Sequence, residues 1–206
     1  MNGALLVISG PSGAGKSSLI NKILESVPNS VFSISTTTRD IRKGEKEGVN
    51  YYYVSKKEFE EDIENAMFLE WAKVHENYYG TSLKPILKFL QEGKIVILDI
   101  DVQGYKIAKE KFGKFITSIF VTTSSQNALK QRLINRKTDS HETIEKRLQN
   151  AISEMACMND YNYLIINDDF DDAAKKVISI VSIAKNRAKS INLEQFMSKW
   201  HKVDDN

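Results

Sequence analysis

The sequence predicts an α/β fold in which a parallel β-sheet core is flanked by helices, and two observations support it. Five short runs rich in valine and isoleucine are spread along the chain, and segments with apolar residues at helical spacing lie between them. Near-continuous apolar runs are typical of strands that are covered on both faces, as in a parallel sheet. The helical segments supply the crossovers that parallel strands need. The 206 residues favour one domain with inserted subdomains.

The elements can be assigned in chain order. The predicted strands are Ala4 to Ser9, Ser30 to Ser35, Lys94 to Ile100, Thr117 to Thr123 and Tyr163 to Asn167. Apolar residues at helical spacing between Leu19 and Val27 predict an amphipathic helix after the first strand. Ser55 with Glu58 forms a capping box at the start of a charged helix, and Asp139 with Glu142 forms the aspartate version at another.

Composition and charge are those of an ordinary globular protein. Apolar residues make up 41% and charged residues 27%, and 29 basic against 27 acidic residues give a net charge of +2, too even to predict a nucleic-acid partner. The one cysteine, Cys157, excludes an internal disulfide, fits a reducing compartment and is expected to be buried. No apolar stretch approaches the ~18 residues of a membrane span, and no signal peptide is recognisable. We therefore expect a cytoplasmic enzyme without membrane partners.

Residues 10–18, GPSGAGKSS, lie between the first strand and the first helix and match the pattern G-x-x-x-x-G-K-[ST]. Glycines allow backbone N–H groups to face phosphate oxygens without side-chain clashes, and the helix N-terminus adds a partial positive charge. We expect Lys16 to reach the β and γ phosphates of ATP and Ser17 to ligate Mg²⁺. The motif predicts a P-loop NTPase fold and an ATP-binding loop of Gly10, Pro11, Ser12, Gly13, Ala14, Gly15, Lys16, Ser17 and Ser18.

A second candidate motif is IVILDID, an apolar strand that ends in acidic residues. Asp99 is the candidate carboxylate for Mg²⁺ or its bound water, and Asp101 is expected to face the same way if the strand continues. The sequence lacks the NKxD and DxxG motifs of signalling GTPases and the HRD and DFG motifs of protein kinases. The three histidines have no metal-ligand spacing and are expected to be surface or packing residues.

Two regions interrupt the alternation of strand and helix. Residues from about 35 to 80 are polar and aromatic, with period-2 stretches that predict a small inserted antiparallel sheet. Within them Arg39 and Arg42 precede Glu45 and Tyr51, and arginine forks with a tyrosine hydroxyl suit a phosphate. A solvated run of charges is the alternative interpretation. Residues from about 126 to 159 are helical and rich in arginine.

Four segments together with the P-loop resemble the guanylate kinase family, whose members phosphorylate GMP with ATP. They are STTTRDIRKGEKEGVNYYYV, FLEWAKVHENYYGTS, ILDIDVQG and RLINRKTDSHETIEKRL, and the resemblance covers about residues 3 to 185. It implies a core of residues 1–34, 81–125 and 160–190, with an inserted GMP-binding subdomain of about residues 35–80 that contains a small mixed or antiparallel sheet. It also implies a helical lid of about residues 126–159 and leaves a C-terminal tail of about residues 191–206.

The resemblance also implies roles for individual residues. It assigns the GMP phosphate to Arg39, Arg42, Tyr51 and Tyr79, and the guanine base to Ser35, Glu70, Thr81 and Asp101. It assigns Arg132, Arg136 and Arg147 to the lid that closes on ATP, and Asn167 to the vicinity of the adenosine. With these roles, the groups that stabilise the transferring phosphoryl are Lys16, Arg39, Arg132, Arg136 and Arg147.

The chain departs from the family's usual residues at four positions. Ile41 replaces a proline, Tyr53 a phenylalanine, Thr81 often a serine, and Lys137 a glycine of the lid. Thr81 keeps the hydroxyl donor, whereas Lys137 is expected to change the shape of the lid's turn.

The chemistry of these residues fits GMP and dGMP as acceptors and Mg²⁺-ATP as donor. A carboxylate accepts hydrogen bonds from guanine N1 and N2, and adenine would leave it unpaired. The acceptor phosphate is already largely dianionic at neutral pH, so no catalytic base is required. Two alternatives stay open: a kinase for another base, and a non-catalytic guanylate-kinase-like domain that binds phosphorylated peptides. We expect small nucleotides as partners, no nucleic acid, and a monomer or homo-oligomer.

The C-terminal tail has apolar residues at helical spacing: Leu193, Phe196, Met197 and Trp200. This pattern predicts a terminal helix that packs on the body of the protein or on a partner subunit.

Overall fold

A computed structural model describes residues 3–135 and 140–187 of the chain, together with residues 197, 198 and 200. The strands are β1 (Ala4–Ser9), β2 (Ser30–Phe32), β3 (Thr36–Thr37), β4 (Tyr52–Tyr53), β5 (Phe68–Val74), β6 (Asn77–Ser82), β7 (Ile95–Asp99), β8 (Ile116–Thr122) and β9 (Tyr163–Ile166). The α-helices are α1 (Lys16–Ser26), α2 (Lys56–Glu64), α3 (Leu83–Gln91), α4 (Val102–Phe112), α5 (Gln126–Asn135), α6 (His141–Met155) and α7 (Phe170–Ser182).

The main sheet is parallel and has the strand order β2-β7-β1-β8-β9. All five strands predicted from the apolar runs belong to it, and the predicted α/β fold is confirmed. The central strand β1 pairs with β7 on one side and β8 on the other, with Val7 opposite Leu98 and Ser118. All residues of β1 are buried, because the strand has neighbours at both edges and helices over both faces. The carboxyl ends of the strands therefore meet at one edge, where P-loop sites form.

Two apolar layers cover the sheet. On one face α1 and α7 pack on β1, β7 and β8, and Ile23 and Val177 are fully buried in this layer. On the other face α3 and α4 pack on the same strands, and Ile86 and Ala108 are fully buried. Leu69 of β5 joins the second layer, so the inserted region shares a core with the main sheet.

The inserted region forms a separate four-stranded sheet with the order β4-β3-β6-β5. It is mixed, because β3 pairs parallel with β4 and antiparallel with β6. Helix α2 begins with the predicted capping box, in which Ser55 and Glu58 exchange hydrogen bonds. Phe59 of α2 is fully buried and stacks on Phe68 and Tyr78, with ring centroids 4.1 and 5.2 Å away. These rings hold the helix against the sheet.

A β-bulge interrupts the pairing of β5 with β6. Phe68 pairs with Ser82 and Trp71 with Gly80, so Leu69 and Glu70 both lie opposite Thr81. A bulge of this kind bends the strand and redirects its side chains. Leu69 is consequently buried in the core while Glu70 is directed toward Thr81.

Helices α5 and α6 pack on each other through a small core of their own: Leu129, Leu133, Ile144, Leu148 and Ala151. The side chain of Ser140 accepts a hydrogen bond from the backbone N–H of Thr143 and caps α6. Asp139, predicted as this cap, lies outside the described residues, as do Arg136 and Lys137. Most of the predicted C-terminal helix also lies outside them.

Two further expectations can be compared with the structure. Cys157 is partly exposed, so the prediction that it is buried is wrong: it follows the end of α6 rather than lying on its packed face. Among the described residues, no helix has the length and apolar character needed to cross a membrane.

The aromatic stack predicts how strongly the inserted sheet depends on Phe59. We expect Phe59→Ala to lower the free energy of unfolding by about 3–5 kcal/mol, because it removes a fully buried ring. Phe115→Ala is the matched control, since Phe115 is 43% exposed, and it should cost less than ~1 kcal/mol. Urea denaturation measures both, and equal losses would contradict the described packing.

Candidate functional site

The loop between β1 and α1 depends on glycine at three positions. Gly10, Gly13 and Gly15 have φ angles of +135°, +95° and +93°, which residues with side chains rarely adopt. A Cβ atom on Gly10 would collide with the carbonyl oxygen of Val121 in β8. The loop therefore turns close against the sheet edge, and its backbone stays open toward the site.

Lys16, the first residue of α1, directs its ammonium group back over the loop. Its Nζ donates a hydrogen bond of 2.7 Å to the carbonyl oxygen of Gly10 and lies 4.0 Å from Oδ1 of Asp99. A cavity of about 380 Å³ opens here, and it is lined by Gly10, Ser12, Gly13, Gly15, Lys16, Ser17, Asp99, Ile100, Asp101 and Glu154. The cavity thus combines backbone amides, one ammonium group and several carboxylates.

Asp99 and Asp101 both line the cavity, but different elements position them: Asp99 ends a strand and Asp101 caps a helix. Strand β7 ends at Asp99, whose pKa is raised by burial, an effect that Lys16 opposes. Asp101 is the N-cap of α4: its Oδ1 accepts hydrogen bonds from the backbone N–H groups of Gln103 at 3.0 Å and Gly104 at 2.8 Å. The strand does not continue to Asp101, because β7 ends at Asp99 and α4 begins at Val102, so the condition for Asp101 to face the same way as Asp99 is not met. The cap fixes one oxygen of Asp101.

Side chains from distant elements converge on the carbonyl oxygen of Ala14 in the loop. Nδ2 of Asn167 donates to it at 2.7 Å, and Nη1 of Arg132 at 3.4 Å. Nη2 of Arg132 also donates a short hydrogen bond to the carbonyl oxygen of Asn167. On α6, Nη1 of Arg147 donates to Oγ of Ser12 at 2.9 Å. Two of the three predicted lid arginines thus contact the loop, while Arg136 lies outside the described residues.

Asn167 is almost completely buried, with an exposed fraction of 2%. Its Oδ1 accepts no hydrogen bond from any residue that the structure describes. An unpaired buried polar atom of this kind is costly, so a bound partner for Oδ1 is expected here.

The four residues predicted to read the base lie around the bulge. Oγ1 of Thr81 donates to Oε1 of Glu70 at 3.2 Å. Burial raises the pKa of Glu70, the hydrogen bond from Thr81 opposes this, and the nearby Asp101 adds to it. Gly104 separates the two carboxylates: a Cβ there would lie 3.0 Å from Oε2 of Glu70 and 3.6 Å from Oδ1 of Asp101. Ser35 comes one residue before Thr36, which pairs with Gly80, so it lies near Thr81.

The residues predicted to bind a phosphate form a second cluster. The guanidinium carbon of Arg39 lies 5.6 Å from the ring centre of Tyr51, and the Tyr51 and Tyr79 rings meet edge to face at 5.9 Å. Arg42 is exposed, and none of the described residues accepts a hydrogen bond from its guanidinium. Arg39, Tyr51 and Tyr79 are thus brought together, with Arg42 at the rim.

Two carboxylates of the site were not predicted. Glu45 binds Arg39 at 2.8 and 3.0 Å, and Arg39 and a backbone N–H lower the pKa of Glu45 to about 2. Glu45 follows Arg42 by three residues, and this spacing is the feature of the sequence that could have indicated a contact between them. Glu154 lines the cavity from α6, and burial raises its pKa, with Lys16 opposing. No sequence pattern indicates Glu154, because only the packing of α6 brings it to the loop.

Comparisons with known proteins agree with this geometry. The family model described as "Guanylate kinase" matches residues 2–184. The chain is 50% identical to the guanylate kinase of Helicobacter hepaticus over 198 residues, which cover 96% of this chain and 98% of that protein. It is 49% identical to the guanylate kinase of Campylobacter jejuni, covering 98% of each. The crystal structure of guanylate kinase from Anaplasma phagocytophilum superimposes with a TM-score of 0.68 at 30% identity, covering 98% of this chain and 97% of that one.

The contact between Asn167 and Ala14 predicts a stability effect. We expect Asn167→Ala to cost about 1–3 kcal/mol, because it removes a buried hydrogen bond to the loop. The loop amides should also exchange hydrogen faster. Asn65→Ala, which removes a side-chain bond to Glu61 on an exposed helix end, is the control and should leave loop exchange unchanged. Denaturation and hydrogen exchange measure the effects, and unchanged loop exchange in Asn167→Ala would contradict the prediction.

Proposed function

The chain belongs to the guanylate kinase family, and we propose that it transfers the γ-phosphoryl group of ATP to GMP, giving ADP and GDP, in purine nucleotide metabolism and GMP recycling. We propose dGMP as a second acceptor. We propose the bounds given above: a core of residues 1–34, 81–125 and 160–190, a GMP-binding subdomain of about residues 35–80, a lid of about residues 126–159 and a C-terminal tail of about residues 191–206.

One observation carries the proposal: Asp101 lines the cavity at the phosphate loop and lies beside Glu70 of the base cluster. The donor loop and the acceptor base site therefore meet at one carboxylate. A phosphoryl group passes directly between two nucleotides only if their binding sites adjoin, because most of the rate enhancement comes from positioning.

The base cluster suits guanine. The carboxylates of Glu70 and Asp101 accept hydrogen bonds from N1–H and the N2 amino group. The hydroxyl of Ser35 can donate to O6, and so can that of Thr81 when its proton turns from Glu70 to the base. Adenine has no proton on N1 and would leave the carboxylates unpaired. Unmatched buried polar groups of this kind discriminate by about 10⁴ or more in sites that hydrogen-bond their substrate.

The cationic residues suit the transferring group. Arg39, Arg42, Tyr51 and Tyr79 are proposed to hold the GMP phosphate, which attacks as a dianion without a catalytic base. Lys16 with Arg132, Arg136 and Arg147 is proposed to stabilise the charge of the γ-phosphoryl group. The contacts of Arg132 and Arg147 with the loop support this role, since the same helices can exclude water from ATP.

We propose that ATP occupies the loop of residues 10–18, with its adenosine next to Asn167. The buried Oδ1 of Asn167, which lacks a donor among the described residues, supports a partner there. Mg²⁺ fits the oxygen donors of this cavity: Ser17 would bind it directly and Asp99 through water. Mg²⁺ is usually held by one or two carboxylates together with phosphates and water. When bound, Mg²⁺ neutralises phosphate charge.

We further propose that the enzyme acts on free nucleotides rather than nucleic acid and works in the cytoplasm, where ATP and GMP are available. We propose that it works as a monomer or a homo-oligomer.

The first experiment compares nucleotides. We expect ATP-dependent ADP formation with GMP, and a kcat/KM for AMP, CMP and dTMP lower by about 10⁴. A coupled assay of ADP measures this for each acceptor. Absence of GMP-dependent ADP formation would reject the enzyme in favour of a non-catalytic binding domain, and equal use of another monophosphate would reject the base assignment.

The second experiment tests Glu70. We expect Glu70→Gln to lower kcat/KM for GMP by about 10²-fold with KM for ATP unchanged, because a carboxylate that accepts from guanine is replaced by an amide. Burial raises the pKa of Glu70, so this carboxylate gains a proton at a pH above the usual glutamate range. The wild-type kcat/KM for GMP should therefore fall as the pH is lowered through that range. Protonation of the GMP phosphate, whose second pKa is about 6, lowers kcat/KM in both proteins. The additional fall that comes from Glu70 should be lost in Glu70→Gln.

Glu76→Gln, at the exposed tip of the same hairpin, is the control and should behave as the wild type. GMP kinetics that stay unchanged in Glu70→Gln would refute the role of Glu70.

A further inference from the structure

Tyr53 of β4 carries a hydroxyl group beside the residues that are proposed to hold the GMP phosphate. This hydroxyl donates a hydrogen bond of 2.8 Å to Oε2 of Glu45. We propose that Tyr53 is a positioning residue for the acceptor phosphate: it holds Glu45, and Glu45 holds Arg39 in the orientation that receives the phosphate. The inference rests on the proposed function, because the phosphate concerned is that of GMP.

Glu45 is fixed by donors from three residues. Its Oε2 accepts from Tyr53, from the backbone N–H of Arg42 at 2.8 Å and from Nη2 of Arg39 at 3.0 Å. Its Oε1 accepts from the same Nη2 at 2.8 Å. The backbone donor and the tyrosine hydroxyl do not depend on Arg39, so they can hold the carboxylate in place while the guanidinium engages a ligand. Of these two donors, only the hydroxyl group of Tyr53 can be removed by a substitution that leaves the backbone unchanged.

Arg39 is confined on several sides. Its guanidinium carbon lies 5.6 Å from the ring centre of Tyr51 and 5.8 Å from that of Tyr53, both within cation–π range. Its Nη1 donates to the carbonyl oxygen of Asp40 at 2.7 Å. A guanidinium carries five N–H groups, so these contacts leave others for a phosphate. A side chain held in this way before binding loses less conformational entropy when the ligand arrives.

The protonation states keep these roles fixed near neutral pH. Glu45 is ionised, since hydrogen bonds from Arg39 and the Arg42 backbone lower its pKa to about 2. Tyr53 keeps its proton, because partial burial and the hydrogen bond to Glu45 raise its pKa. A neutral hydroxyl donating to a carboxylate is a charge-assisted hydrogen bond, which is stronger than one between neutral groups.

The alternative is that Tyr53 serves only to pack β4. Tyr53→Phe separates the two roles, because phenylalanine keeps the ring beside Arg39 and removes only the hydroxyl. Tyr52 is the matched control: it is the neighbouring residue of β4, it points to the opposite side of the strand, and it lines a different cavity together with Val54 and Phe89.

The experiment measures GMP and ATP kinetics, and inhibition by guanosine, for the wild type, Tyr53→Phe and Tyr52→Phe. We expect KM for GMP to rise about tenfold in Tyr53→Phe, with kcat and KM for ATP within twofold of wild type. The inhibition constant of guanosine, which has no phosphate, should stay unchanged. A purely structural role would change guanosine and GMP alike. Tyr52→Phe should match the wild type throughout.

A double-mutant cycle tests the route through Glu45. In a Glu45→Gln background the further change Tyr53→Phe should raise KM for GMP by less than twofold, because the hydroxyl acts through the carboxylate. A full additional tenfold rise would overturn the inference, as would an unchanged KM for GMP in the single variant or an equal loss for guanosine. A wild type that neither binds nor phosphorylates GMP would instead overturn the proposed function itself, and the inference with it.

Discussion

The site begins with a constraint on one backbone position: β1 can turn into the phosphate loop only because Gly10 has no side chain. The carbonyl group of Val121 in β8 occupies the space that a Cβ atom would need. This close approach sets the direction in which the chain leaves the sheet, and so the position of α1 with Lys16 at its first turn. Asp99, Asp101 and Glu154 line the cavity beside that ammonium group and the loop.

Single groups that serve two purposes connect the parts of the site. The carbonyl oxygen of Ala14 receives hydrogen bonds from Asn167 after β9 and from Arg132 on α5, so the end of β9 and α5 share one acceptor in the loop. Asp101 caps α4 with one oxygen and lies next to both the loop cavity and Glu70. The chain is nearly neutral as a whole, yet cations and carboxylates alternate across this edge of the sheet, where the low dielectric strengthens their effects.

The five strands of the main sheet could be predicted because each is a local apolar run, and the loop because its chemistry lies in consecutive residues. The inserted sheet was predicted only as a region, since strands of two residues such as Thr36–Thr37 exist through pairing with distant partners. The role of Asp101 as a helix cap was missed for a similar reason: the sequence does not mark where β7 ends. Glu154 reaches the cavity through the packing of α6, which no periodicity reveals.

Because of the bulge in β5, the number of residues in this hairpin determines which side chains face the core. Leu69 and Glu70 share one partner, Thr81, so losing either residue would restore regular alternation and turn the following side chains to the opposite face. At the other end the two strands close through His75 and Glu76 alone, both exposed. The hairpin can therefore be lengthened at its tip, whereas next to the bulge the number of residues decides whether Leu69 or Glu70 faces the core.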